Sequence, residues 1–91
     1  MNNQAKIIVK GRVQGVGFRF YVFNEASLLN LTGYVRNLYN GDVEIVVEGD
    51  QSAINALHQS VRRGPRSARV ISTDLFWLYE SKGYQDFRIV H

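Results

Sequence analysis

An α+β open-faced sandwich, with two helices packed on one face of a mostly antiparallel sheet, is what this 91-residue sequence predicts. Three observations lead there. The hydrophobic period alternates between two and 3.6 in the order β-α-β-β-α-β, followed by a short last strand. The pair Asn40-Gly41 sits between the two middle strands and marks a hairpin. Two helices cannot cover both faces of such a sheet, so they must share one side, the ferredoxin-like arrangement.

The elements follow in order. From Ala5 to Val13, Ile7, Val9 and Val13 alternate with Lys6, Lys10 and Arg12, a strand with one buried face. Gln14-Gly15-Val16-Gly17 breaks it. From Arg19 the period changes: Arg19, Val22, Phe23 and Ala26 make one stripe of a helix running to about Leu31, before Thr32-Gly33. Strands are expected over Tyr34–Tyr39 and Asp42–Glu48. A two-residue turn would put Val35 opposite Val46, on the face shared with Glu44 and Glu48. A type I turn with Gly41 as a left-handed bulge residue shifts the pairing by one. Val35 then faces Ile45, with Val43 and Val47 on the same apolar side, and Arg36 faces Glu44 on the other. The second register is preferred because it buries valines and not glutamates.

Asp50 is a suitable N-cap for a helix with Ile54, Leu57, His58 and Val61 on one stripe. Arg62-Arg63 and Gly64 close it, with Pro65 beyond. Ala68 to Tyr79 reads as a long strand whose apolar phase slips between Val70 and Leu75-Trp77, which predicts a bulge. Ser81-Lys82-Gly83 is a turn, and Phe87 and Ile89 mark the final strand. Residues 1–91 are expected to form a single domain, since the length suits one core and not two.

The composition, 45% hydrophobic and 21% charged, is that of an ordinary globular protein. A net charge of +3 and a pI near 9.5 admit anionic partners without requiring one. The absence of cysteine removes disulfides, thiolate catalysis and Cys-based metal sites. No run approaches a membrane span, and the polar Met1-Asn2-Asn3-Gln4 start reads as no signal peptide. A cytoplasmic protein without membrane contact is expected.

The stretch Gly11-Arg12-Val13-Gln14-Gly15-Val16-Gly17-Phe18-Arg19 joins a strand to a helix. Its glycines free the backbone to turn several amide N–H groups toward one point, beside the positive end of a helix dipole, which is a recipe for an anion cradle. Arg19 adds a planar cationic fork suited to two phosphate oxygens. Taken alone, the same residues also describe a tight turn with a surface arginine. Gly15-x-Gly17 lacks the third glycine of a dinucleotide fingerprint, and no Gly-Lys-Ser/Thr follows as in a nucleotide P-loop. Asn37 is the second unusual feature. The preferred register turns it toward the helix-covered face, and the stripe position of Arg19 turns that residue into the same layer. Two such polar groups need partners, or an anion and water.

The run Gly11-x-Val13-x-Gly15-Val16-x-Phe18-Arg19 resembles the signature of the acylphosphatase family. So do Gly33-Tyr34-Val35-Arg36-Asn37, Gly41-x-Val43, Glu48-Gly49, Gly64-Pro65 and Phe87-x-Ile89, so the resemblance spans nearly the whole chain. It implies the same open-faced sandwich and a hydrolase acting on acyl phosphates. It further implies that Arg19 binds the substrate phosphate, that Asn37 positions the attacking water, and that amides of Gln14, Gly15, Val16, Gly17, Phe18 and Arg19 complete the cradle. Some relatives carry a disulfide that this chain, without cysteine, does not have.

The expected chemistry is direct attack of water on phosphorus. No serine, cysteine or histidine sits in a nucleophile arrangement, His58 reads as a packing residue, and His91 has no assignable role. Two distant histidines make a weak metal site, so no metal and no cofactor are expected. Inorganic phosphate should act as product or inhibitor. A monomer is expected. Nucleic-acid binding is disfavoured: Gly15-Val16-Gly17-Phe18-Arg19-Phe20-Tyr21-Val22-Phe23 echoes an aromatic RNA-binding motif, but that motif belongs on a strand and here starts a helix. Arg62, Arg63, Arg66 and Arg69 read as a solvated helix end and loop. Service within a larger carbamoyl-transfer enzyme is a third possibility, less favoured because the chain ends with the domain.

Overall fold

The first strand, β1 (Asn3–Arg12), alternates as its sequence requires: Ala5, Ile7 and Val9 are fully buried, and Val13 continues the same face. The computed structural model describes residues 3–80 and 82–91. Met1 and Asn2 of the polar start and Ser81 of the expected turn lie outside the described residues.

Helix α1 (Phe18–Leu28) starts one residue earlier than expected and ends about a turn sooner. The early stop has a local cause. Asn30 adopts a left-handed conformation (φ 58°), which asparagine tolerates better than most side chains. Leu31 N–H then donates to the Ala26 carbonyl (3.0 Å) and Asn30 N–H to that of Ser27 (3.1 Å), a Schellman closure that turns Leu31 back into the core. The buried stripe is Phe18, Val22 and Ala26. Phe23 packs beside it, and Arg19 lies on its flank rather than on it.

Strands β2 (Thr32–Asn37) and β3 (Val43–Gly49) pair with Val35 opposite Ile45 and Arg36 opposite Glu44, the shifted register. Leu38 and Tyr39, expected in the strand, belong to the turn. Leu38 N–H donates to Asp42 (2.8 Å), Gly41 N–H to Leu38 (3.2 Å), and Gly41 takes φ 97°. Val35, Val43, Ile45 and Val47 are all fully buried. The glutamates of the opposite face are buried too, which the alternation alone does not foretell. Glu44 is held by Arg36 (2.5 Å) and by the Tyr34 hydroxyl (3.2 Å). Glu48 accepts from the backbone amides of Lys82, Gly83 and Tyr84, which fold over it. Each buried carboxylate is thus supplied with donors, as burial demands.

Helix α2 (Gln51–Arg63) buries Ile54, Leu57 and Val61 and ends at Gly64 (φ 67°). Asp50 occupies its N-cap position, yet its side chain makes no capping bond. Strand β4 (Arg69–Leu78) pairs along one side of β1, and the register slips between Lys10↔Ser72 and Gly11↔Val70. Ile71 is the extra residue, a bulge within the interval where the apolar phase shifts. Strand β5 (Phe87–Val90) pairs parallel to β2. The sheet order is β4-β1-β3-β2-β5, and the inward side chains of the sheet form one core with those of both helices.

This topology positions the functional residues. Both β1 and β2 run antiparallel to β3, so they point the same way, and β5 follows β2. The end of β1, the β2–β3 turn and the end of β5 therefore meet at one end of the sheet.

Candidate active site

The β1–α1 loop is built on two left-handed glycines, Gly15 (φ 72°) and Gly17 (φ 76°). A side chain at either would be strained by the backbone alone. No protein atom lies within 4 Å of where a Cβ would stand on either residue, so the space above this loop is open. Gly17 is the N-cap of α1, no side chain caps the helix there, and no acidic residue sits in its first turn. Among the described residues, the amides of 15–20 donate to no protein acceptor. Unpaired donors at a helix start make an anion-binding concavity.

The loop is fastened on three sides. Phe18, 1% exposed, plugs the core and fixes where the helix begins. The Ser67 hydroxyl donates to the Val16 carbonyl (2.7 Å) from the α2–β4 connection. The Gln14 side-chain amide donates to the carbonyls of Leu38 (2.8 Å) and Asp42 (2.7 Å) across in the hairpin.

Arg19 extends from the first turn of α1 to the end of β5. Its Nη1 donates to the Val90 carbonyl (3.2 Å) and contacts Nδ1 of His91 (3.1 Å). A guanidinium can only donate, so in this contact the His91 Nδ1 is the acceptor. The guanidinium lies at the mouth of the helix-covered layer, not within it as the helical stripe predicts. The reason is the earlier helix start, which gives the inward position to Phe18.

Asn37, the last residue of β2, pairs with Val43 and shares the face of Val35. Its Oδ1 is buried with no hydrogen-bond partner, the one side-chain atom in that condition among the described residues. A cavity of about 640 Å³ opens here, lined by Gln14, Arg36, Asn37, Leu38, Tyr39, Val90 and His91. Arg19 is bonded to two of those lining residues, so the structure brings Arg19 and Asn37 to one place.

Two cations near this end, Lys10 and Arg36, are paired with carboxylates. Lys10 Nζ meets Asp42 (2.7 Å), and that bond raises the Lys10 pKa. Arg36 is likewise raised by its bond to Glu44, leaving its charge committed. Among the described residues no three of His, Cys, Asp and Glu come together as metal ligands. His58 lies over the β4 edge, three strands across the sheet from Asn37 on β2, bonded to Thr73 Oγ1 (2.9 Å), with its pKa lowered by burial and then by Arg62.

A family model described as Acylphosphatase matches residues 5–89. The chain belongs to the acylphosphatase family. An acylphosphatase of Caldanaerobacter subterraneus subsp. tengcongensis is 43% identical over 89 residues, covering 98% of this chain and 99% of the relative. The crystal structure of acylphosphatase from Bacillus subtilis superposes with a TM-score of 0.95 at 38% identity, covering both chains completely. Full-length HypF in its phosphate- and nucleotide-bound form contains a similar unit: TM-score 0.89, 33% identity, all of this chain but 12% of that one. The ferredoxin-like sandwich is thus the family fold.

Within this acylphosphatase-family chain the segment with aromatic RNA-motif likeness enters α1 at Phe18, so it starts a helix as the sequence suggests, with Phe18 and Val22 in the core and Phe23 partly buried against it. No helix among the described residues is long and apolar enough to cross a membrane. Three contributors were not visible in the sequence: the Gln14 side chain, Ser67 and His91. Their partners lie 24 to 28, 51 and 72 residues away, and no local period reports such contacts.

Proposed function

We propose that this protein hydrolyses acyl phosphates to a carboxylate and inorganic phosphate by direct attack of water on phosphorus, without metal or cofactor. Its membership of the acylphosphatase family supports the substrate class. The observation that carries the mechanism is the buried, unpartnered Oδ1 of Asn37, in a cavity also lined by Val90 and His91, the two residues to which Arg19 is bonded.

In this reading the phosphoryl oxygens take the open amides between Gln14 and Arg19 and the guanidinium of Arg19. To do so Arg19 exchanges its bonds to Val90 and His91 for phosphate oxygens. Asn37 accepts a hydrogen bond from water through Oδ1 and so aims the water lone pair at phosphorus. The water O–P bond forms as the P–O bond to the carboxylate breaks, and the water proton passes to phosphate or solvent. A carboxylate leaves as a weak base and needs little protonation. Catalysis then rests on positioning and charge stabilisation, which suits phosphoryl transfer through a loose transition state. Near-complete mutual coverage with a curated acylphosphatase supports the simple hydrolase over service in a larger carbamoyl-transfer enzyme. The protein would act as a cytoplasmic monomer, with inorganic phosphate as competitive inhibitor.

The test is turnover of benzoyl phosphate in EDTA, with p-nitrophenyl phosphate as control. Rapid loss of the first and little of the second is expected; a metal requirement or equal rates would overturn the reading. Asn37→Ala should lower kcat by about 10²–10³ while leaving phosphate inhibition nearly intact. Collapse of phosphate affinity instead would make Asn37 a ligand residue.

A further inference from the structure

We propose that the Gln14 side chain is a positioning residue that locks the phosphate cradle to the water-holding hairpin, and so fixes the distance over which water attacks. This rests on the function proposed above and deepens it. The cradle and Asn37 sit on different parts of the chain, separated in sequence by the length of α1 and β2, and the β1–β3 pairing that ties their strands stops at Val9↔Val43, before the loop begins. In-line attack requires that their separation be held to a fraction of an ångström.

Gln14 is placed to hold it. Its Nε2 carries two hydrogens, and both are used, one on the Leu38 carbonyl (2.8 Å) and one on that of Asp42 (2.7 Å). Those two residues face each other one step beyond the Asn37↔Val43 pair, at the base of the turn. One amide group therefore closes the hairpin exactly where Asn37 leaves the sheet, from a residue whose own backbone starts the cradle. The other tie to the turn, Lys10 to Asp42, is half exposed and belongs to β1 rather than to the loop. Exposed pairs of that kind hold little. The side-chain length is specific: asparagine is one methylene short, and glutamate would set a carboxylate against two carbonyl oxygens.

The test is a double-mutant cycle on the full chain, with benzoyl phosphate as substrate and inorganic phosphate as inhibitor. Gln14→Met keeps the shape and removes both donors. We expect kcat to fall about tenfold or more, against the ~10² cost of a 1 Å misplacement, with phosphate Ki within about twofold of wild type. In an Asn37→Ala background the same change should do almost nothing, since no held water remains to misplace. Gln14→Glu should be worse than Gln14→Met at neutral pH. It should recover toward it as the carboxyl protonates and regains one donor.

Unchanged kcat in Gln14→Met overturns the inference. So does its full effect added on Asn37→Ala, or a rise in phosphate Ki that accounts for the loss. Should Gln14→Met not fold, amide exchange in the wild type decides: the Gln14 side-chain protons should exchange far more slowly than those of exposed Gln51, and equal rates overturn the tie. Absence of wild-type turnover would overturn the proposed function as well. Normal turnover with an indifferent Gln14 overturns this inference alone.

Discussion

The two strand-to-helix junctions of this protein lie at opposite ends of the sheet, and they are built differently. From β3 the chain enters α2 through a single residue, Asp50, whose carboxylate sits at the positive helix end. From β1 it enters α1 through Val13 to Gly17, with a left-handed glycine as N-cap and no acidic residue in the first turn. Neither helix has a side-chain cap bond. The distinction lies in what surrounds the donors. At α2 the chain places its own anion there. At α1 it places none, and fastens the open loop to the hairpin, to the α2–β4 connection and, through Phe18, to the core. On the function proposed above, the α1 start takes the phosphate because its amides are left free and its frame is held in place, whereas the α2 start does not.

The largest test of this contrast is Arg19→Lys. Lysine keeps the charge but loses the planar fork that meets two oxygens. A loss of about 10²–10³ in kcat/KM is expected, the scale of one lost electrostatic donor. Near-normal turnover would remove Arg19 from its proposed role and make the loop alone the site.

Next in size is Gly17→Ala. The added methyl meets nothing within 4 Å, so any cost comes from holding alanine at φ 76°. That is about 1–2 kcal/mol, met either as lost stability or as a relaxed loop. A relaxed loop weakens phosphate binding by an estimated tenfold or so. Chemical denaturation and phosphate Ki together separate the two. If neither changes, the left-handed geometry is not what builds the cradle.

How much of this could be read in advance depends on the range of each contact. The β2–β3 register was legible because Val35, Val43, Ile45 and Val47 must share a face, and only one pairing allows it. The β4 bulge was legible because Val70 and Leu75 fall out of phase. The helix stripe was misread by one position, because Phe18 looked like the last loop residue and Arg19 like the first helical one. Periodicity does not choose between adjacent starts when a glycine N-cap replaces a side-chain signal. The Arg36–Glu44 pair was legible from the register, but the burial of Glu44 and Glu48 was not, because it also depends on the Tyr34 hydroxyl and on the amides of 82–84. The same holds for Gln14, Ser67 and His91: residue type and motif mark Arg19 and Asn37, whereas what orients them is set by the fold.

At the α2 junction the expected effects are small, and that is the point of the contrast. Asp50→Asn should lower stability by about 0.3–1 kcal/mol through the lost dipole interaction, measured by urea denaturation at low salt, and leave kcat unchanged. A change in turnover would mean that the two junctions communicate.

The smallest effect concerns His58, the part-buried histidine of α2. Burial first, then Arg62, lowers its pKa from the ordinary 6.5. The unfolded chain therefore takes up that proton more readily than the folded one. Stability is full above the unfolded value, near 6.5, and declines as pH falls through it toward the lower folded pKa. Between about pH 7.5 and 5.5 the melting temperature should thus drop more in wild type than in His58→Gln, which keeps a hydrogen-bonding group beside Thr73 and does not titrate. Activity should be the same in both, because His58 bonds to Thr73 on the β4 edge, three strands across the sheet from Asn37 on β2. Equal melting slopes would place the acid sensitivity elsewhere, and a parallel loss of kcat would show that α2 bears on the site through the shared core.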